Sequence, residues 1–247
     1  HSNLRRQRQM CIRDSYSIEN PSIIQNEFKN NKDFINTSLL LEKSINKKEL
    51  ICIFGDYDVD GSAATSLLAK FFDHIKHPYF FYIPDRECDG YGPSNSIFKK
   101  LILKKPKLII MVDCGSTANQ SIDYLNDKKI KSVIIDHHEI YKPYPKANVI
   151  INPKKDNNNL SKDYYCATTL TYFFLEILIK KIKSSFNLSN YLIYVLLALV
   201  CDVMPLRKIN RYIALNIIKN FKTKDNVVFK ILYELCNKKN NPVSYTH

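Results

Sequence analysis

Apolar positions along the chain fall into short runs separated by amphipathic stretches. Leu50–Phe54 is one such run, and Tyr79–Ile83, Lys107–Val112, Ile130–Ile135 and Asn148–Ile151 are mainly apolar stretches of similar length, broken by Lys107, Lys131, Ser132 and Asn148. Apolar runs of this length, bounded by turn residues, predict strands covered on both faces, the habit of a parallel sheet. Between them lie helical patterns. Ser62–Phe72 is rich in Ala and Leu, Ser94 is placed to cap a helix running to about Leu103, and a further helix spans about Ala118–Asp127. The alternation predicts an α/β fold, a parallel β-sheet flanked by helices. From about Asp163 the chain turns helical, over Tyr164–Lys183, Leu188–Cys201, Lys208–Lys219 and Asn226–Cys236. This predicts a helical C-terminal part. Residues 16–49 are polar with scattered apolar positions and read as one or two lead-in helices.

Acidic residues recur where the strands are predicted to end. The first run leads into Asp56-Tyr57-Asp58-Val59-Asp60-Gly61, with a carboxylate at every second position. In an extended segment alternate side chains share a face, so the three carboxylates are expected to converge. Clustered like charges resist ionising together, and a divalent cation is the simplest compensation. Asp113 ends another strand, and Asp136-His137-His138 ends a third. In parallel sheets, ligands bind at these carboxyl ends. Asp202 interrupts the apolar run Leu199–Leu206, and a buried acid needs a partner. A single strand-end Asp is also a routine turn or capping residue; the coincidence of four such features is what points to a site. Many carboxylates with one or two imidazoles suit Mn²⁺ or Mg²⁺ and do not suit a thiolate zinc site. So many acids exceed the needs of one ion, which predicts a two-metal centre for phosphoryl chemistry. The amides opening the helix after Gly61 are expected to receive a phosphate oxygen.

Composition narrows the setting. The 247 residues are 45% hydrophobic and 25% charged, as in ordinary globular proteins, with a net charge of +13. A basic surface around an acidic centre suits a polyanionic substrate, although a lysine-rich solvated surface gives the same count. Seven cysteines, an odd number without C-x-x-C spacing and with no secretory signal, predict a reduced, cytoplasmic setting. The most apolar window, Tyr191–Cys201, is too short to span a bilayer, so no membrane partner is expected. The five glycines, at 55, 61, 90, 92 and 115, all sit in the acidic or turn-like stretches. Those positions are expected to need positive φ or close backbone approach. Residues 1–15 hold four of the seven arginines and resemble translated adapter sequence; 242–247 is a candidate counterpart, a basic arm or transit peptide being the alternative for 1–15. Setting aside the four arginines and one aspartate of 1–15 lowers the net charge to +10, so the basic character persists.

The Asp56–Gly61 stretch, the loop from Pro84-Asp85-Arg86 to Gly90-Tyr91-Gly92, Val112-Asp113-Cys114-Gly115, Asp136-His137-His138 and Cys201–Leu206 occur in an order that closely resembles the DHH phosphoesterase family, in particular its RecJ-type single-stranded-DNA exonucleases. The resemblance covers roughly residues 45–220. It implies a catalytic domain over 50–205, connecting helices over 206–241, and 5′-to-3′ hydrolysis of single-stranded DNA with Mn²⁺ or Mg²⁺ and no small-molecule cofactor. By position it implies metal ligation by Asp56, Asp58, Asp60, Asp113, His137 and Asp202, with Asp113 bridging. Asp136 would orient His137, and His138 would sit at the scissile phosphate. Arg86, Tyr91, Gly92 and Gly115 would contact substrate; a structural pair with Asp85 or Asp89 is the alternative for Arg86, and packing for Tyr91. Tyr57 and Val59 are expected to face away from the metals and pack. Phe54 departs from the histidine that many relatives carry there. With no glycine after Gly115, the family's DHH-associated and OB-type domains are expected to be absent, leaving a truncated catalytic part with weak processivity. In a full-length protein, a single-strand-binding protein or a helicase would be the expected partner. Oligoribonucleotides or cyclic dinucleotides as substrates, or an inactive binding module, are the alternatives.

Overall fold

A computed structural model describes residues 27–90, 92–156, 160, 165–220, 222, 230–231 and 234–235. The arginine-rich segment 1–15, Tyr91, the tail 242–247 and most of the helix expected over Asn226–Cys236 lie outside these residues.

The elements follow the predicted alternation. α1 (Lys32–Asn46) leads in, capped by Asn31, whose side chain accepts the amides of Asp33 and Phe34. Then come β1 (Ile51–Gly55), α2 (Val59–His74), β2 (Tyr79–Tyr82), α3 (Asn95–Leu101), β3 (Leu108–Val112), α4 (Asn119–Asp127), β4 (Lys131–Ile135) and β5 (Val149–Ile151). The described helices finish with α5 (Ala167–Lys181), α6 (Leu192–Cys201) and α7 (Lys208–Asn220). Ser94 caps α3 as expected, accepting the Ile97 amide at 3.3 Å. α6 is shorter than predicted because Leu188–Tyr191 forms a separate 3₁₀ turn.

The five strands are parallel, in the order β2-β1-β3-β4-β5. Strand alternation explains the two-sided burial. Ile51, Ile53, Leu108, Ile110 and Val112 face one core with α1, α2, α5 and α6, while Cys52, Phe54, Ile109 and Met111 face a second core with α3 and α4. β1, β3 and most of β4 are therefore apolar throughout, whereas β2, at the edge, is only partly covered.

The chain leaves β1 toward β2 on one side and returns to β3 on the other, so the order reverses between β1 and β3. A crevice opens there beyond the strand ends. Asp56 follows β1 and Asp113 follows β3, which puts the first two acidic motifs at the switch point.

Candidate metal centre

The Asp56–Asp60 triplet does not remain extended. Asp58 caps α2, accepting the Gly61 amide at 2.9 Å, and the helix begins at Val59 rather than after Gly61. Helical turn geometry therefore sends Asp60 away from Asp56 and Asp58. The opening amides of α2 are also engaged: Gly61 donates to the Asp58 side chain and Ser62 to its carbonyl. They are not the phosphate cradle expected from the sequence. Gly61 is required by close approach, since a Cβ there would lie 2.6 Å from the Asp56 backbone nitrogen and oxygen.

Asp60 is fully buried and reaches across to α5. Its carboxylate accepts the Ala167 and Thr168 amides at 2.6 and 2.8 Å, while the Thr168 hydroxyl donates to the Asp60 carbonyl. A carboxylate at a helix N-terminus is favoured by the exposed N–H groups and the helix dipole. The cap fixes Asp60 with its second face toward His137, 3.6 Å away.

Asp113 is the centre of the constellation. It is completely buried and adopts φ +61, the left-handed region that Asp tolerates better than most residues. Both its carboxylate oxygens lack a hydrogen-bond partner among the described residues. Burial first, and then the nearby Asp60 and Asp58 carboxylates, push its carboxyl up to about 12. His137 Nε2 lies 3.2 Å from Asp113 and 3.4 Å from Asp202. Asp202 is not inside an apolar helix as the sequence suggested. It is the C-cap of α6, where the helix dipole disfavours a negative charge, and burial with the neighbouring acids raises its pKa.

Four buried polar atoms thus converge without hydrogen bonds among the described residues: both Asp113 oxygens, His137 Nε2 and Asp202 Oδ2. Orphaned buried groups are rare and costly in folded proteins. Here they define ligand sets with atoms within 4.8 Å of one another: Asp56, Asp58 and Asp113; Asp60, His137 and Asp202; and Asp113, His137 and His138. The first two sets share no residue and meet where His137 Nε2 lies 3.2 Å from Asp113. Hard oxygen donors with imidazole fit Mn²⁺ or Mg²⁺, and Asp113 belongs to two of the three sets.

Asp136 takes a different part from the one the sequence suggested. Its Oδ1 accepts the backbone amides of His137 and His138 and the His138 Nδ1–H at 2.8 Å, while Oδ2 accepts the Ser116 amide. The ring it orients is that of His138, not His137. Burial works against its ionisation, but the His138 hydrogen bond and charge outweigh that and hold the carboxyl down to about 2. The same bond raises the His138 pKa and leaves Nε2 as the free ring nitrogen.

The substrate positions are placed unevenly. Arg86 is exposed, with Cζ 5.5 Å from the Tyr57 ring centroid. Asp85 instead accepts the Glu87 and Cys88 amides, and Asp89 accepts the Tyr82 hydroxyl, so neither forms the structural pair considered for Arg86. Tyr91 is outside the described residues. Gly92 is buried at φ +71. Gly115, at φ +106, is buried against Ile134 and Met111 and turns the chain so that Ser116 meets Asp136. Val59 is 41% exposed and does not pack inward as expected.

Three contributors escaped the sequence reading. Thr168 and Ser116 carry no motif signal. Asn152, fully buried, donates to the Ser116 hydroxyl and the His138 carbonyl. Its position just after β5, where the other strands place acids, was the available clue.

Comparison with known proteins agrees with this geometry. The family model described as DHH family, N-terminal domain, matches residues 50–199. The chain belongs to the DHH family. Among its relatives, the single-stranded-DNA-specific exonuclease RecJ of Bacillus subtilis is 28% identical over 204 residues, 79% of this chain and 24% of that protein. The same exonuclease of Salmonella typhimurium is 30% identical over 176 residues, 65% of this chain and 30% of that protein. This DHH chain therefore spans about a quarter to a third of these relatives' length. The crystal structure of exonuclease RecJ bound to manganese superposes with a TM-score of 0.75 at 22% identity, covering 85% of this chain and 53% of that one. RecJ from Thermus thermophilus in complex with Mn²⁺ gives 0.70 at 20% identity, covering 85% and 30%. These matches establish the parallel five-stranded sheet with flanking helices as the DHH fold. Among the described residues, no helix is long and apolar enough to cross a membrane.

Proposed function

We propose that this DHH chain carries the catalytic centre of a Mn²⁺- or Mg²⁺-dependent phosphodiesterase that acts as a 5′-to-3′ exonuclease on single-stranded DNA. The observation that carries this is the convergence of Asp113, His137 and Asp202 at the switch point of the sheet, their buried polar atoms without a hydrogen-bond partner among the described residues. The exonuclease names of the RecJ relatives supply the substrate class.

In this reading Asp56, Asp58 and Asp113 would hold one ion, and Asp60, His137 and Asp202 would hold the other. Bound divalent cations would neutralise charge on the phosphate and lower the pKa of a bound water, so that it gives up a proton to solvent and is available as hydroxide to attack phosphorus. His138, its Nδ1 fixed by Asp136, presents Nε2 to bind the scissile phosphate or to pass a proton to the leaving oxygen. Arg86, whose planar fork matches two phosphate oxygens, holds the strand.

The test is release of nucleotides from labelled single strands in Mn²⁺. Asp113→Ala is expected to abolish it while 5′-label release precedes internal products in the parent chain. Turnover persisting in Asp113→Ala, or no Mn²⁺-dependent cleavage of any phosphodiester, would refute the assignment.

A further inference from the structure

The two helices that bring acids to the centre also frame a groove. α2 starts at Asp58 and Asp60, and α6 ends at Asp202, so their ends meet at the acid cluster. Between them lies a cleft of about 390 Å³, walled by Val59, Ser62 and Ser66 of α2 and Tyr194 and Leu197 of α6. Its size is that of a small-ligand site, about 300–1,000 Å³. Asp58 belongs both to this cleft and to the ligand set with Asp56 and Asp113, so the cleft opens directly from the candidate metal centre.

The chemistry of the walls selects the occupant. Two aromatic rings, Tyr57 and Tyr194, line the cleft, and two serine hydroxyls offer hydrogen bonds of either sense. Among the described residues no cation lines it, and its charged side chain is the carboxylate of Asp58. A phosphate would be repelled there. A flat, uncharged group would be accommodated, because stacking on aromatic faces needs no charge and tolerates any base. Beside it, the Arg86 guanidinium lies 5.5 Å from the Tyr57 ring, at hand for the phosphate attached to such a group.

We propose that this groove holds the nucleobase adjoining the scissile phosphate, stacked against Tyr57 and Tyr194 irrespective of its identity. The assignment rests on the exonuclease reading above and adds the base subsite to it.

Binding of oligodeoxythymidylate and of an abasic oligomer of equal length is compared by fluorescence anisotropy in Ca²⁺, with Mn²⁺-dependent cleavage of both strands followed separately. The parent chain is expected to prefer the base-bearing strand. Tyr194→Ala is expected to weaken that strand's binding by about 5- to 150-fold, the equivalent of 1–3 kcal/mol of base–aromatic stacking, down to the level of the abasic strand. Tyr194→Phe retains the ring and should retain the preference. In the unaltered chain, a strand carrying 5-iododeoxyuridine should photocrosslink to Tyr57 or Tyr194, a readout that does not depend on how a variant folds. Equal binding of the two strands by the parent, or crosslinks confined to other residues, would overturn the groove assignment even if both strands are cleaved. Absence of Mn²⁺-dependent cleavage of either strand would instead overturn the exonuclease reading, and the subsite with it.

Discussion

The carboxylate of Asp136 lies 2.8 Å from His138 Nδ1, while His137, its immediate neighbour in sequence, offers it only a backbone amide. The tandem histidines are thereby given different work. His137 turns its Nε2 to Asp60, Asp113 and Asp202, and His138 is held through Nδ1 by Asp136.

Asp136→Asn is therefore expected to act through His138. Losing the carboxylate removes the main influence raising the His138 pKa, so the basic limb of the pH–rate profile should move to lower pH. Turnover should fall by about 10- to 100-fold, as is usual for partners that orient site histidines. A kcat profile measured in saturating Mn²⁺ checks this; an unmoved profile would leave Asp136 with a purely structural part.

Stability should depend on pH in opposite senses at the two buried acids. The Asp113 carboxyl is raised in the fold, so its contribution is complete below the ordinary value of 3.8 and is lost as pH rises toward about 12. The Asp136 carboxyl is depressed to about 2, so its contribution is present above 3.8 and is lost as pH falls toward that value. Without metal, alkaline conditions should thus weaken the chain, and added Mn²⁺ should raise the melting temperature more at pH 8 than at pH 6. Scanning fluorimetry with Mn²⁺ or EDTA reads both effects, and a metal-induced shift independent of pH would contradict them.

Asp113→Asn should separate stability from chemistry. Asn is uncharged without taking up a proton, so the cost of keeping the buried Asp113 carboxyl protonated beside Asp60 and Asp58 is removed, and the metal-free melting temperature near neutral pH is expected to rise, by roughly 2–4 °C for each kcal/mol gained. The Mn²⁺-induced shift and nucleotide release should both disappear. A drop in metal-free melting temperature would mean that the cluster is not under electrostatic strain.

Gly61→Ala tests how α2 is joined to β1. The added methyl would meet Asp56 backbone atoms at 2.6 Å, and backbone cannot yield as a flexible side chain does. A loss of about 1–3 kcal/mol in urea unfolding is expected, typical of overpacking, with weaker Mn²⁺ binding because Asp56 and Asp58 must shift. Unchanged stability and binding would show that the junction relaxes freely.

Thr168→Val removes the hydroxyl that donates to the buried Asp60 carbonyl. An unmatched buried acceptor costs about 1–3 kcal/mol, readable in the urea midpoint. Isothermal titration should register weaker Mn²⁺ binding, since Asp60 is held by this same turn of α5.

Much of the protein was legible along the chain. Unbroken apolar runs at β1 and β3 and the Val-Ile-Ile end of β4 announce strands covered on both faces, and helical periodicity between them leaves few topologies other than a parallel sheet. Asp56, Asp113 and Asp136 could be placed at strand ends because strand length and turn residues are local properties, and ligands gather where such strands end.

What lay beyond the sequence was which atoms meet. The spacing of Asp56, Asp58 and Asp60 is the same whether the segment is extended or turns into a helix, and only the packing of α2 on β1 decides that the turn begins at Val59. Asp60 is held by α5, more than a hundred residues away, and Asp202 comes to His137 as the cap of α6. Residue types and their order in the chain determined that there would be an acid-rich centre on a parallel sheet. The tertiary contacts, which depend on distances between segments remote in sequence, decided how the acids divide about Asp113 and which histidine Asp136 holds.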